Sequence, residues 1–197
     1  MWLLFYWDCI LSELTTRIAT TDDMDSVYRL THDAFVGAGL TPATKSGQLI
    51  HFPELDNMPK TKVIVAEVNG RIVGTNSITF DGPAGLHTDK FFPEETQSIR
   101  DEGRNLASSW RVAVDPSFRN QLKVIRSIFK QTFAVADAYN LECCLFTFYE
   151  KHEKIYQKLI NARSLCKKSY SNEFYTDKTQ VLMRVDIEDF LGTAWQT

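Results

Sequence analysis

The chain has 197 residues, 44% of them apolar and 24% charged, the make-up of an ordinary folded protein long enough to bury a core. That much apolar surface excludes disorder as the main state. Twenty-two Lys and Arg against 25 Asp and Glu give a net charge of -3, which excludes a general nucleic-acid binder and makes any basic surface a local patch.

The opening run Met1-Trp2-Leu3-Leu4-Phe5-Tyr6-Trp7 is interrupted by Asp8, with no positive flank and no cleavage site, so it does not read as a signal peptide. Leu4, Trp7, Leu11 and Leu14 recur at helical spacing and predict an amphipathic helix over 1–16. It packs on the domain or on a second subunit. No Lys or Arg precedes Arg17, so a membrane is not an expected partner.

From Arg17 the elements alternate. Arg17-Ile18-Ala19-Thr20 reads as a short strand, and Thr21-Asp22-Asp23 then caps a helix carrying Met24, Val27, Leu30, Ala34 and Phe35. Residues 41–60 predict a loop with at most a short helix. Two strands over 63–68 and 71–78 flank Asn69-Gly70, a strong hairpin signal. Residues 81–92 read as irregular, and Pro93-Glu94-Glu95 opens a helix to about Gly103. A strand follows from Leu106 to Val114. Leu122, Ile125, Phe129, Phe133 and Ala136 make one apolar stripe on a helix to Tyr139. A buried strand at 143–148, a helix at 151–160 and a final strand at 180–185 complete a mixed α/β domain over 17–197.

Cys9, Cys143, Cys144 and Cys166 form no CxxC pair, so they read as reduced core thiols in a cytoplasmic setting. Neither they nor the four histidines show metal-ligand spacing.

Four segments carry a resemblance to the GNAT acyltransferases: Trp110-Arg111-Val112-Ala113-Val114-Asp115-Pro116 with Arg119, Tyr149 to Tyr156, Arg17 to Asp23, and Gln180 to Val185. A narrower resemblance rests on Asp89, Glu95, Arg100, Gly103 and Arg104 ahead of Leu106-Ala107. This set is similar to the long-chain N-acyl amino acid synthases of the N-acyltyrosine-forming type, relatives of the acyl-homoserine lactone synthases. The resemblance implies a single-domain fold with a mixed, mostly antiparallel sheet flanked by helices. It implies transfer of a fatty acyl chain from acyl carrier protein to the α-amino group of an amino acid, tyrosine for this type. The chain departs from the family pattern at Ser108, where a glutamate is usual, which leaves the general base open.

Acyl transfer to an amine needs a base for the ammonium, donors for the oxyanion and a proton for the thiolate. Glu95, with Asp89 and Glu94 behind it, is the expected base; Glu94 and Glu95 equally suit the positive end of the helix dipole. The resemblance places substrate along Ser108, Ser109, Trp110, Arg111 and Val112, with backbone N–H groups near Trp110 to Val112 as oxyanion donors. Tyr156 can protonate the thiolate, or sit as an amphipathic helix residue with a wet hydroxyl. His152 lies one turn before it, behind the substrate. Arg100 and Arg104, at i and i+4, can grip an acceptor carboxylate or form intrahelical salt bridges to Glu94, Glu95 or Asp101, and Arg111 is a further candidate. Phe35, Trp110, Phe146 and Phe148 line a dry acyl tunnel or belong to plain core.

In Arg119-Asn120-Gln121-Leu122-Lys123-Val124, bulky Leu122 and Val124 occupy positions where coenzyme A-dependent relatives carry small residues that cradle a diphosphate. Crowding there disfavours coenzyme A unless it binds in a shifted pose. Arg119, Lys123, Arg126 and Lys130 share one helix face, either a solvated face or a docking strip for acyl carrier protein. The expected donor is therefore carrier-bound acyl-phosphopantetheine, with no tightly held cofactor. Two alternatives stay open: a coenzyme A-dependent N-acetyltransferase of a small amine, and a non-catalytic acyl-ligand or partner-binding relative.

Overall fold

The computed structural model describes residues 14–56, 58–118, 120–170 and 178–192. Strand β1 (Thr15–Ile18) begins earlier than expected, so Leu14 is irregular and Thr15 and Thr16 are strand rather than helix; residues 1–13 of the helix expected over 1–16, with Cys9, lie outside the described residues. Helix α1 (Met24–Gly37) follows a 3-10 turn at Thr21–Asp23, where the Asp23 carboxylate accepts from the Thr20 N–H at 2.6 Å. The short helix expected in the following loop is α2 (Pro53–Asp56). The hairpin is formed by β2 (Thr61–Val68) and β3 (Arg71–Phe80), and both turn residues are left-handed, Asn69 at φ 52° and Gly70 at φ 72°. Such a pair is the signature of the tight turn whose twist matches the strands.

A 3-10 turn (His87–Lys90) and α3 (Pro93–Arg100) lead to β4 (Leu106–Val114), then α4 (Leu122–Ala138), β5 (Cys143–Tyr149) and α5 (Glu153–Ile160). Two elements were not anticipated, β6 (Arg163–Tyr170) and the terminal α6 (Ile187–Gly192); the last strand, β7 (Lys178–Asp186), was. β6 pairs antiparallel with β7 and stands last in the sheet. Its lysines and outward-facing Leu165 give an edge strand no apolar alternation to read.

All seven strands form one sheet in the order β1-β2-β3-β4-β5-β7-β6, flanked by helices. β1 with β2, β5 with β7 and β6 with β7 are antiparallel. β4 and β5 are parallel, as the long crossover through α4 requires. Among the described residues no helix is long and apolar enough to cross a membrane.

Two compact units divide the structure. The first holds the described residues through His51 with Lys62–Ser77 and Arg111–Gln131. Its core joins Val27, Val63 and Val65, and a second cluster joins Leu30, Ala34 and Ala113. Arg17 clamps it by donating to both Asp23 and Glu67. The second unit holds Phe52–Thr61, Ile78–Trp110 and the chain from Thr132 on. Leu86, Phe92, Ile99, Leu106, Cys143, Leu145 and Leu182 form its core. Burial raises the Cys143 and Cys144 thiols, which keeps them as inert apolar groups.

Candidate active site

The β4–β5 ladder runs from Leu106↔Cys143 to Ser109↔Phe146 and ends there, although β4 continues to Val114 and β5 to Tyr149. Just past the last pair, Arg111 adopts φ 60° within β4, a left-handed conformation that costs a non-glycine residue about 1–2 kcal/mol. The left-handed residue interrupts the regular alternation of β4, which sequence pattern alone could not reveal. Within the second unit, the end of this ladder separates two differently furnished faces.

One face is polar and buried. His87, 1% exposed, reaches from its 3-10 turn to both strands: Nδ1 lies 3.0 Å from Ser108 Oγ on β4, and Nε2 lies 3.1 Å from Thr147 Oγ1 on β5. Trp110 donates from Nε1 to Thr79 Oγ1 at 2.9 Å. Phe52 covers the group, edge-on to Trp110 at 5.3 Å and tilted over His87 at 5.6 Å. Sequence reasoning missed His87, Thr147, Thr79 and Phe52. His87 lies 21 and 60 residues from its two partners, a separation to which no local motif corresponds.

The other face is aromatic. Side chains alternate along β5, so Phe146 and Phe148 point away from Thr147. Phe146 meets Phe133 at 6.1 Å and stacks on Phe148 at 5.5 Å, and Phe148 stacks on Tyr156 of α5 at 3.4 Å. Burial pushes the Tyr156 phenol well above its ordinary range, so it keeps its proton at any physiological pH. His152 stands edge-on to Tyr156 at 6.4 Å, and burial, helped by Lys151, lowers its imidazole and favours the neutral form.

The other expected residues of this unit are held by ion pairs. Lys168 donates to Glu95 at 2.6 Å and thereby lowers the Glu95 carboxyl, which makes it a weaker base. Burial opposes ionisation of Asp89, but hydrogen bonds from Arg100 and from the Leu86 N–H more than offset it. Arg100 forks onto Asp81 at 2.7 and 2.9 Å and onto Asp89 at 2.7 and 2.6 Å, which raises its own pKa. Arg104 pairs with Asp186 at 2.8 Å, and Asp186 also accepts from Arg163 and Arg184. Both arginines are thus held by acids, but by Asp81, Asp89 and Asp186 rather than by the expected intrahelical Glu94, Glu95 or Asp101. Ser108 and Ser109 are buried.

In the first unit, Arg111 is 2% exposed, with its guanidinium 5.4 Å from the Tyr28 ring. Val112 is half-buried, and Phe35 packs edge-on to His51 at 5.3 Å. Phe35 thus belongs to a different unit from the three aromatics with which it was grouped, and Trp110 to a different face from Phe146 and Phe148. Lys123, Arg126 and Lys130 are exposed on α4, as expected of the strip, and Arg119 lies outside the described residues. Leu122 is 55% exposed, but Val124 is fully buried, turned toward Gly74, where an added Cβ would stand 3.1 Å from Val124 Cγ1. Crowding of a diphosphate by Val124 is thereby corrected: only Leu122 stands at the surface.

The family model for the N-acyl amino acid synthase FeeM matches residues 26–186. Among solved structures, FeeM from uncultured soil microbes superposes with a TM-score of 0.76 at 18% identity, covering 92% of this chain and 95% of that one. An N-acetyltransferase from Staphylococcus aureus Mu50 gives 0.63 at 16%, covering 88% and 98%, and yncA of Salmonella typhimurium with its cofactor acetyl-CoA gives 0.63 at 12%, covering 89% and 94%. At these identities the superpositions establish the GNAT fold. No curated protein matches the chain at a significant level.

Proposed function

Because this chain belongs to the N-acyl amino acid synthase family and is an acyltransferase of GNAT fold, we propose that it joins a long-chain fatty acyl group from acyl carrier protein to the α-amino group of an amino acid, tyrosine by family resemblance. The observation that carries the reading is the β4–β5 ladder ending at Ser109↔Phe146, beside Tyr156 on one face and a polar group on the other. The amine nitrogen attacks the thioester carbonyl, the C–S bond breaks, and the sulfur leaves as thiolate. Backbone N–H groups of β4 at the end of the β4–β5 ladder stabilise the oxyanion. Tyr156 donates its phenolic proton to the departing sulfur and regains one as the nitrogen sheds its proton on becoming an amide, so a thiol and an amide leave with the phenol restored. Phe146 and Phe148 offer apolar surface to the acyl chain.

For the donor, exposed Leu122 heads a helix whose Lys123, Arg126 and Lys130 suit an acidic carrier protein. Buried Val124 favours a second reading, a coenzyme A thioester as donor, because it removes one of the two obstacles to a diphosphate. Matched acyl-carrier and acyl-coenzyme A donors, each offered a panel of amino acids, distinguish the readings by mass spectrometry of the amide. The expected product is N-acyltyrosine from the carrier thioester, formed more slowly as salt rises. Preference for the coenzyme A donor or for another amino acid overturns the corresponding half of the proposal.

A further inference from the structure

We propose that Thr147, backed by His87 and Ser108, takes the proton from the acceptor ammonium. This rests on the acyl-transfer reading. Of the three residues, Ser108 and His87 are 0% and 1% exposed, and only Thr147 reaches a half-buried position. It stands one residue past the last β4–β5 pair, on the stretch of β5 released from the ladder. His87 Nε2 lies 3.1 Å behind its hydroxyl, an imidazole nitrogen placed to accept a proton, and Nδ1 is steered by Ser108 at 3.0 Å. The arrangement is a hydroxyl, an imidazole and an orienting group in series, the order in which proton relays are built.

In the step, the ammonium proton passes to Thr147 Oγ1 as the Thr147 proton passes to His87 Nε2. Nδ1–H donates to Ser108 Oγ throughout. The amine lone pair is freed, and the imidazolium later returns its proton to solvent through Thr147. The groups around His87 favour the transient positive charge. Asp89 lies on its own turn, Arg100 on α3 and Asp81 ahead of the turn, so two carboxylates face one guanidinium and leave an excess negative charge. Lys90, on the same turn, is neutralised by Glu54. Asp89 stands two residues from His87 on that turn. By contrast Glu95 is committed to Lys168.

Two acceptors separate proton removal from mere bracing of β4 against β5. One is the amino acid, an ammonium at pH 7; the other is its aminooxy analogue, already neutral there. With the amino acid, His87→Gln and Thr147→Val are expected to lose about 10²-fold or more in kcat, within the range of general-base contributions. With the aminooxy acceptor they lose less than about tenfold, and Thr147→Ser restores the amino-acid rate. Should His87→Gln fail to fold, the Thr147 pair carries the test alone. Equal losses with both acceptors, or no loss with either, overturn the relay. A wild-type chain inert toward both acceptors overturns the acyl-transfer reading itself.

Discussion

On one face of β5, Phe146 and Phe148 stack in a row that runs from Phe133 to Tyr156; on the other, one residue away, Thr147 meets His87. The row is held by dispersion and the hydrophobic effect, which set little direction and tolerate small shifts. The His87 group is held by hydrogen bonds of fixed direction between buried partners, which tolerate almost none. Truncations on the aromatic face should therefore cost stability first. Polar substitutions on the other face should cost turnover while the fold survives. Phe146→Ala is the largest test of this contrast. Fully buried between Phe133 and Phe148, it should lose about 3–5 kcal/mol, read as a lower denaturant midpoint at unchanged slope. A loss below about 1 kcal/mol would mean that the row is loosely packed.

Tyr156 sharpens the comparison because it closes the apolar row with a polar atom. Tyr156→Phe keeps the stack on Phe148 and should lower kcat about 10²-fold with little change in thermal midpoint. Burial raises the phenol in the folded state, so the neutral ring is what the fold stabilises. That stabilisation is complete below the ordinary phenol pKa of ~10 and is lost as pH rises above it, because the unfolded chain ionises first. The wild type should thus lose stability above pH ~10 more steeply than Tyr156→Phe does. A Tyr156→Phe enzyme with wild-type kcat would remove the acid from this residue.

Strongly patterned elements were legible without the structure: the extent of α4, the Asn69-Gly70 turn and the β4 boundaries follow from local periodicity and turn chemistry, although Leu122, expected in the apolar stripe of α4, is exposed while Val124 and Ile128 are buried. The edge strand β6 was not, since half-exposed Leu165 and its lysines obey solvent rather than a core. In the site, Tyr156 was singled out only through the family resemblance, whereas the placement of Phe146 and Phe148 on one side of β5 was within reach, because strand alternation fixes it. The partners of Arg100, Arg104 and Glu95 were not. Each is set by a carboxylate or ammonium far along the chain, Asp81, Asp186 and Lys168, and charge type alone cannot choose between a substrate and a neighbour. Burial misleads in the same way: Val124 stands at a loop-proximal position in sequence yet turns inward toward Gly74.

The smallest effect is expected at Glu95, and it bears most directly on where the base lies. The pair with Lys168 leaves both side chains about a third exposed, at 28% and 34%, so it contributes at most about 1 kcal/mol. Glu95→Gln should retain turnover within about tenfold, since Lys168 already holds the carboxylate as an ion-pair partner. Its stability deficit has a definite sign with pH. The Lys168 hydrogen bond lowers the folded-state pKa of Glu95, so the pair stabilises the protein above the ordinary carboxylate range and ceases to as pH falls through the lowered value. Wild type and Glu95→Gln should differ slightly at pH 7 and converge in acid, as thermal midpoints measured across that range would show. A 10²-fold loss of kcat in Glu95→Gln at unchanged stability would return the base to α3 and leave His87 as a brace between the two strands.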